Sequence, residues 1–262
     1  MPRRVLHDTY FKQAKAEGYV ARSAYKLQQI QASRSLMRRG DWVLDLGCAP
    51  GAWLQVAAQI VGPTGVVVGI DLQHVPQRFP SAPPVVPIQG DIYKTAAELL
   101  INAAREAAGP NAGTRDRFDA VISDMAPNTS GHGDHERSIG LCQRAVELLP
   151  DLLRHGGNCT MKVFEGGDYP RFLKDLADLF ETAKGYKPEA SRAVSREIYI
   201  IATGYRATGT PAGARPGGLP KRSVQPPSLT RPESPAPESP PRRTTAVGGT
   251  KPPPDPKRKS HG

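Results

Sequence analysis

Between residues 42 and 203, short apolar runs alternate with segments whose apolar residues recur at helical spacing. Strands are predicted for the apolar runs at 42–46, 65–70, 85–89, 118–123, 157–163 and 197–203. Helices are predicted for the segments at 23–37, 53–61, 96–108, 138–154 and 169–180. Strands that alternate with helices imply a mostly parallel sheet with helices on both faces. The sequence therefore predicts an α/β domain over residues 41–204, preceded by a helical segment over residues 1–40.

Positive charge is concentrated at the two ends of the chain. Residues 1–40 hold nine Lys and Arg against two Asp and Glu, and residues 205–262 hold eleven against three. The stretch between them, residues 41–204, holds fifteen against twenty. A mildly acidic body between basic ends suits a polyanion that is held at particular places. Basic ends that only keep the protein soluble are the alternative.

Proline dominates the last part of the chain. Residues 205–262 include 14 prolines among 58 residues and almost no large apolar side chains. Such a segment buries too little apolar surface to offset the entropy lost on ordering, so we predict a disordered tail. Its composition favours loose RNA contact or a solvating role over a ligand for SH3-type domains.

The three cysteines, Cys48, Cys142 and Cys159, are odd in number and widely spaced, with no C-x-x-C pair. This pattern favours a reducing compartment over a disulfide framework or a zinc site. The first residues lack the apolar core of a signal peptide, and no run approaches the ~18 apolar residues of a membrane span. We therefore expect a cytoplasmic protein with no membrane partner.

A glycine-containing turn follows the first predicted strand, in the sequence Asp45-Leu46-Gly47-Cys48-Ala49-Pro50-Gly51-Ala52-Trp53. Open α/β sheets bind ligands at such strand ends, where glycines let the backbone approach the ligand. Pro50 removes an amide donor, so the turn suits S-adenosylmethionine, which has no pyrophosphate, better than a dinucleotide. Asp71 and Asp91 end the next two strands, where they are placed to bind ribose hydroxyls and an adenine amino group. Each piece alone is also explained as a helix-capping turn, but three in series predict a cofactor site.

Four charged residues stand in apolar surroundings: Lys26, Asp124, Lys162 and Glu197. Charges at such positions are rarely buried unless they are paired. Each residue alone fits an internal salt bridge. Four of them with alternating sign, three at the sheet edge that carries the glycine turn, predict a catalytic site instead.

Five motifs occur in chain order: Tyr25-Lys26-Leu27, Leu46-Gly47-Cys48-Ala49-Pro50-Gly51, Ser123-Asp124-Met125-Ala126-Pro127-Asn128, Met161-Lys162-Val163-Phe164 and Ser195-Arg196-Glu197-Ile198-Tyr199. With them, residues 10–204 resemble the FtsJ/RrmJ (RlmE) family, the bacterial heat-shock methyltransferases of large-subunit rRNA. Two features depart from the family pattern. Ala52 stands where many relatives have glycine, and the chain after Tyr205 has no counterpart in the short members.

The resemblance implies a Rossmann-like fold that binds S-adenosylmethionine and methylates a uridine 2′-hydroxyl in the A-loop of 23S rRNA, on the large ribosomal subunit. The implied catalytic tetrad consists of Lys26, Asp124, Lys162 and Glu197. The implied cofactor contacts come from Gly51, Trp53, Asp71, Asp91 and Asp124.

Methyl transfer to a ribose hydroxyl requires in-line alignment and the removal of one proton. Lys162 is the candidate group that either accepts this proton or orients the hydroxyl, and the sequence leaves both roles open. Asp124 is expected to serve the cofactor and the tetrad together. Two alternatives also stay open: a related enzyme that acts on tRNA or an RNA cap, and a catalytically silent RNA-binding assembly factor.

Other clusters receive weaker interpretations. His132, Asp134 and His135 resemble metal ligands, but they lie in a glycine-rich stretch for which we expect a mobile lid and no metal. Cys48 and Cys159 have no neighbouring base in sequence, so neither is expected to act as a nucleophile.

Basic side chains of the N-terminal segment are expected to dock the RNA in register, whereas the tail adds salt-sensitive attraction without register. The docking candidates are Lys12, Lys15, Arg22, Arg34, Arg38 and Arg39. Reversal of Arg38 and Arg39 is expected to raise the KM for RNA. Arg192 and Arg196 are candidates for phosphate contacts or for an exposed, solvated role. We expect a monomer without an obligate protein partner.

Overall fold

The computed structural model describes residues 3–79, 82–127, 133–191 and 195–207, with the backbone alone for residues 3–8. The helices are α1 (Arg3–Ala16), α2 (Ala24–Arg34), α3 (Ala52–Val61), α4 (Ala97–Ala108), α5 (Asp134–Leu152) and α6 (Tyr169–Leu179). The strands are β1 (Trp42–Leu46), β2 (Val66–Asp71), β3 (Val85–Gln89), β4 (Phe118–Ser123), β5 (Leu153–Phe164), β6 (Phe180–Tyr186) and β7 (Glu197–Tyr205). A 3-10 turn, Gly109–Ala112, follows α4.

These strands form one sheet in the order β3-β2-β1-β4-β5-β7-β6. β1 to β5 are parallel to one another, and β7 is antiparallel to its neighbours β5 and β6. The carboxyl ends of β1 to β5 and the amino end of β7 therefore lie at one edge of the sheet, which we call the carboxyl edge. The arrangement confirms the predicted α/β fold with a mostly parallel sheet and helices on both faces.

Apolar side chains alternate between two cores on opposite faces of the sheet. In β2, Val66 and Val68 face the core that contains α4, α5 and α6, whereas Val67 faces the core that contains α2 and α3. Strands buried on both faces are apolar at successive positions, which is why they were predicted as unbroken apolar runs. Burial of each such side chain stabilises the fold by about 1.5–3 kcal/mol.

The element boundaries differ from the predictions around the last strands. The predicted helix at 138–154 ends at Leu152, and β5 begins at Leu153, four residues before the predicted start at 157. An irregularity in the β4–β5 register accommodates this early stretch. β6 was not predicted, because it is an edge strand whose side chains are mostly exposed and therefore carry no apolar pattern.

The N-terminal segment contains α1 and α2. The side chains of Ala24, Leu27, Ile30 and Leu36 are buried in the same core as α3. The C-cap of α2 is Ser35, whose backbone is in the left-handed region and whose N–H donates to the carbonyl of Gln31. The chain then turns into β1.

Two of the docking candidates follow this turn. Arg38 and Arg39 precede the amino end of β1, and the Arg39 guanidinium lies against Gly62, the residue after α3. They are therefore at the end of the sheet opposite the carboxyl edge.

Three interpretations concern residues outside those that the structure describes: His132 as a cluster member, Arg192 as a phosphate contact, and the tail from residue 208 onward. Within the described ranges, no helix is long and apolar enough to cross a membrane.

Candidate active site

Asp124 and Lys162 form an ion pair at the carboxyl edge. Asp124 follows the last residue of β4, and Lys162 lies near the end of the neighbouring β5. Lys162 Nζ donates to Asp124 Oδ1 at 2.8 Å and to the Asp124 backbone carbonyl at 2.6 Å. Since the Lys162 side chain is only 9% exposed, the ammonium has exchanged most of its water for these two oxygens.

Lys26 and Glu197 form a second ion pair beside the first. Lys26 projects from α2, and Glu197 is the first residue of β7. Lys26 Nζ lies 2.6 Å from Glu197 Oε1, and the two side chains are 9% and 12% exposed. The antiparallel direction of β7 is what brings its first residue to the carboxyl edge.

Tyr199 connects the two pairs. It belongs to the fifth sequence motif, but no role was predicted for it. Its hydroxyl donates to Asp124 Oδ1 at 2.6 Å, and Lys26 Nζ lies 5.8 Å from the centre of its ring. Burial, with a smaller contribution from Asp124 and Glu197, raises the pKa of Tyr199 well above its usual value. The hydroxyl therefore stays protonated and donates to Asp124. Its signal in the sequence is its position two residues after Glu197, which places both side chains on the same face of β7.

The glycine turn is fitted closely to its surroundings. Gly47 has a φ of 80°, and a Cβ there would lie 3.0 Å from the Met125 Cα atom, beside Asp124. Gly51, with a φ of 111°, is the N-cap of α3. The positive φ at both positions and the contact at Gly47 make glycine the residue that allows this turn to close.

Trp53 lies inside the protein on the first turn of α3. Its indole N–H donates to the carbonyl of Ser23 at 2.9 Å, and its ring centre lies 5.8 Å from that of Tyr199. Through Ser23, which is the N-cap of α2, this contact also holds the helix that carries Lys26.

Asp71 and Asp91 both accept hydrogen bonds from backbone N–H groups. Asp71 Oδ2 accepts from Ala49 at 3.0 Å and Asp71 Oδ1 accepts from Gln73 at 2.8 Å, so this side chain joins the end of β2 to the glycine turn. Asp91 Oδ1 accepts from Tyr93 at 2.9 Å in the turn after β3. These contacts fix both carboxylates at the carboxyl edge.

Asp45 is a further acidic residue of the edge to which the sequence analysis gave no role. It is completely buried in β1, and neither of its carboxylate oxygens has a hydrogen-bond partner among the described residues. Burial raises its pKa well above the usual value, and the neighbouring charges of Asp124 and Asp71 act in the same direction. Asp45, Asp71 and Asp124 thus lie near one another, and none of the ion pairs among the described residues includes Asp45.

A family model described as FtsJ-like methyltransferase matches residues 19–205. The chain belongs to the FtsJ-like methyltransferase family. It is 46% identical over 198 residues to the ribosomal RNA large subunit methyltransferase E of Syntrophobacter fumaroxidans, a match that covers 75% of this chain and 94% of that protein. It is 42% identical over 204 residues to the protein of the same name from Haloarcula marismortui, with 77% and 76% covered.

A crystal structure described as a ribosomal RNA methyltransferase from Plasmodium falciparum has a similar fold. The TM-score is 0.60 at 23% identity, with 71% of this chain and 98% of that chain covered. This likeness agrees with the Rossmann-like methyltransferase fold that was expected from the sequence motifs.

In this FtsJ-like methyltransferase, the remaining polar candidates have other partners. Asp134 pairs with Arg137, and His135 contacts the end of β5. Asp134 and His135 both lie on the first turn of α5, so the prediction that they belong to a mobile lid is wrong. Within the described residues, no group of three or more His, Cys, Asp or Glu side chains is placed to hold a metal ion. Burial raises the pKa of both the Cys48 and the Cys159 thiols, which makes them poor nucleophiles.

Proposed function

We propose that this protein transfers a methyl group from S-adenosylmethionine to the 2′-hydroxyl of a uridine in the A-loop of 23S rRNA, on the large ribosomal subunit. The observation that carries the proposal is the two largely buried ion pairs, Lys162–Asp124 and Lys26–Glu197, joined by Tyr199 at the carboxyl edge. The names of the relatives, ribosomal RNA large subunit methyltransferase E, support large-subunit rRNA as the substrate class.

The residues of the carboxyl edge fit S-adenosylmethionine. Asp71 and Asp91 offer carboxylate oxygens for ribose hydroxyls and the adenine amino group, beside Gly51 at the start of α3. Leu72, which directly follows Asp71, is 69% exposed and offers apolar surface to an adenine ring. Trp53 supports this site from inside the protein.

S-adenosylmethionine supplies a methyl group that is already activated by its positive sulfur. The protein has to hold the hydroxyl in line with that methyl and to receive one proton. Two of the tetrahedral positions of Lys162 Nζ point to Asp124 oxygens and one is its bond to Cε. The fourth position is the one that meets the ribose hydroxyl, either as a lone pair that accepts its proton or as an N–H that orients it.

Asp124 holds Lys162 in this orientation, and Tyr199 holds Asp124. Lys26, paired with Glu197, places a second positive charge next to the site. A cation there stabilises negative charge that develops on the attacking oxygen. These are the roles that we assign to the tetrad.

RNA docking is assigned to the N-terminal segment, residues 1–40. α1 packs against Tyr25, the neighbour of Lys26, and against Ala190 in the segment that leads to β7. The exposed Lys12 and Lys15 of α1 are therefore on the side of the molecule that carries the tetrad. We infer a monomer that acts in the cytoplasm, where its three unpaired cysteines are compatible with reducing conditions.

The test is methylation of purified large subunits that lack the modification, followed by mapping of 2′-O-methyl positions. The wild-type protein should modify one A-loop uridine. Lys162→Ala should lose at least about tenfold in rate, or ~1.4 kcal/mol, while its affinity for S-adenosylmethionine stays near normal.

Other outcomes distinguish the alternatives. Methylation of tRNA in place of large subunits would refute the substrate. Cofactor binding without methylation of any RNA would favour an assembly factor over an enzyme.

A further inference from the structure

Three side chains on one stripe of α5 contact the end of β5. His135, Ser138 and Cys142 are spaced three and four residues apart, which places them on the same face of the helix. The Cys142 thiol lies 3.1 Å from the Lys162 carbonyl, and Ser138 Oγ accepts the Phe164 N–H at 3.1 Å. His135 Nδ1 lies 2.7 Å from the Phe164 carbonyl. We call these three residues the α5 stripe.

The stripe replaces a missing strand neighbour. β4 ends at Ser123, which pairs with Met161, so the strand supplies no further residue beside the last part of β5. On the other side, β5 remains paired with β7 as far as Phe164 and Glu197. The stripe contacts the Lys162 carbonyl and the N–H and carbonyl of Phe164. These are therefore backbone groups that a neighbouring strand would otherwise satisfy.

His135 also holds the loop after β5. The Asp168 N–H donates to His135 Nε2 at 3.1 Å, while a carbonyl acceptor at Nδ1 requires that this nitrogen carry the hydrogen. One imidazole thus connects Phe164 and Asp168. Gly166 lies against the face of the ring, where a Cβ would collide with ring atoms.

We propose that the α5 stripe sets the position of Lys162 for methyl transfer, with His135 as its principal positioning residue. The inference rests on the role of Lys162 in the proposed function. Its physical basis is that the backbone at and just after Lys162 is anchored at two points, the Lys162 carbonyl and Phe164, and that Lys162 Nζ has one position left for the substrate. Small displacements of a reacting group reduce rates strongly.

The first test replaces His135 in the full-length protein. His135→Ala should lower the single-turnover methylation rate about tenfold, with the dissociation constant for S-adenosylmethionine within about twofold of wild type. His135→Asn should restore most of the rate, because its amide N–H occupies the place of Nδ1–H. His135→Gln should restore less, because its amide extends toward the Nε2 position. Equal rates for His135→Ala and wild type would overturn the proposal.

Two neighbouring glycines provide a matched pair of variants. Gly166→Ala should displace the His135 ring and reproduce the loss of rate, whereas Gly167→Ala should behave as wild type, since a Cβ there meets nothing within 4 Å. Neither glycine has a positive φ, so alanine is accepted by the backbone at both positions. Equal losses in the two variants would contradict the role of His135.

Two further measurements separate this inference from other causes. Val146→Ala removes packing one turn beyond Cys142 on the same helix, and it should lower stability without the same loss of rate. Amide hydrogen exchange at Phe164 should accelerate in His135→Ala and Gly166→Ala but not in Gly167→Ala.

If wild type methylates no RNA, the proposed function fails, and the exchange rates still decide whether His135 anchors β5. Unchanged exchange in that case would overturn the inference.

Discussion

The Asp124 carboxylate has two donors at one oxygen, the Lys162 ammonium group and the Tyr199 hydroxyl. A partly buried carboxylate that accepts two such bonds is fixed in position, and it fixes its partners in turn. Tyr199 was not recognised in the sequence because an aromatic residue in an apolar strand is usually part of the core. Lys26, Asp124, Lys162 and Glu197 were recognised because charge in such runs is unusual, but their pairing depends on the strand order.

Tyr199→Phe should lower the methylation rate about tenfold, with little change in cofactor affinity. The substitution keeps the ring beside Trp53 and removes only the hydroxyl, a hydrogen bond to a charged group worth about 1.5–3 kcal/mol. Tyr205→Phe, at the far end of the same strand, is the control and should retain the wild-type rate. Similar rates for the two variants would show that the Asp124 contact is dispensable.

Asp45→Asn should make the unliganded protein more stable at high pH. A carboxyl with a raised folded-state pKa favours folding while it is protonated, and this contribution is lost as the pH rises through that pKa. Urea unfolding at about pH 5 and pH 8 should therefore show a stability advantage of the variant that grows with pH. A pH-independent difference would exclude a titrating Asp45.

At the scale of the elements, most strands and helices were predictable because the sheet is buried on both faces and the helices have one apolar side. β6 was not, since an exposed edge strand has no such pattern. The junction of α5 and β5 was also misplaced. Leu152 and Leu153 are both fully buried, so the apolar pattern continues across the boundary between helix and strand.

The structure divides the basic residues of the N-terminal segment into two sets. Lys12 and Lys15 of α1 lie on the tetrad side, and Arg38 and Arg39 lie at the amino end of β1. We therefore expect charge reversal in α1, and not of Arg38 and Arg39, to cause the larger rise in the KM for RNA.

Reversal of Lys12 and Lys15 to glutamate should raise the KM for large subunits strongly and leave cofactor affinity unchanged. Reversal of Arg38 and Arg39 changes the net charge equally and should have a smaller effect, because those side chains lie at the opposite end of the sheet. Steady-state kinetics at two salt concentrations compare the pairs. A larger effect from Arg38 and Arg39 would place the docking surface at that end.

At the scale of the whole molecule, the boundary for truncation is set by β7. Tyr205 is buried and its ring centre lies 5.2 Å from that of Phe180, while the Arg206 N–H donates to the carbonyl of Leu179 at 2.8 Å. A cut after Gly204 would remove these contacts, so the appropriate cut follows Ala207.

Truncation after Ala207 should leave large-subunit methylation largely intact and reduce the salt dependence of RNA binding. The segment removed holds ten Lys and Arg against three Asp and Glu, and each phosphate contact that is lost lowers the slope by about one. Binding isotherms over a series of salt concentrations measure this slope. Loss of methylation in a truncated protein with unchanged thermal unfolding would assign the tail a direct role.

The reversed direction of β7 also determines where the chain leaves the sheet. β7 begins at the tetrad with Glu197 and runs antiparallel to β5. Its last residue, Tyr205, therefore lies at the opposite end of the sheet, where β1 begins. A fluorescent label or an affinity tag joined after Ala207 therefore starts near the end of the sheet opposite Lys162. The same group joined ahead of α1 starts beside the helix to which we assign RNA binding. A reporter for activity assays is therefore better joined after Ala207.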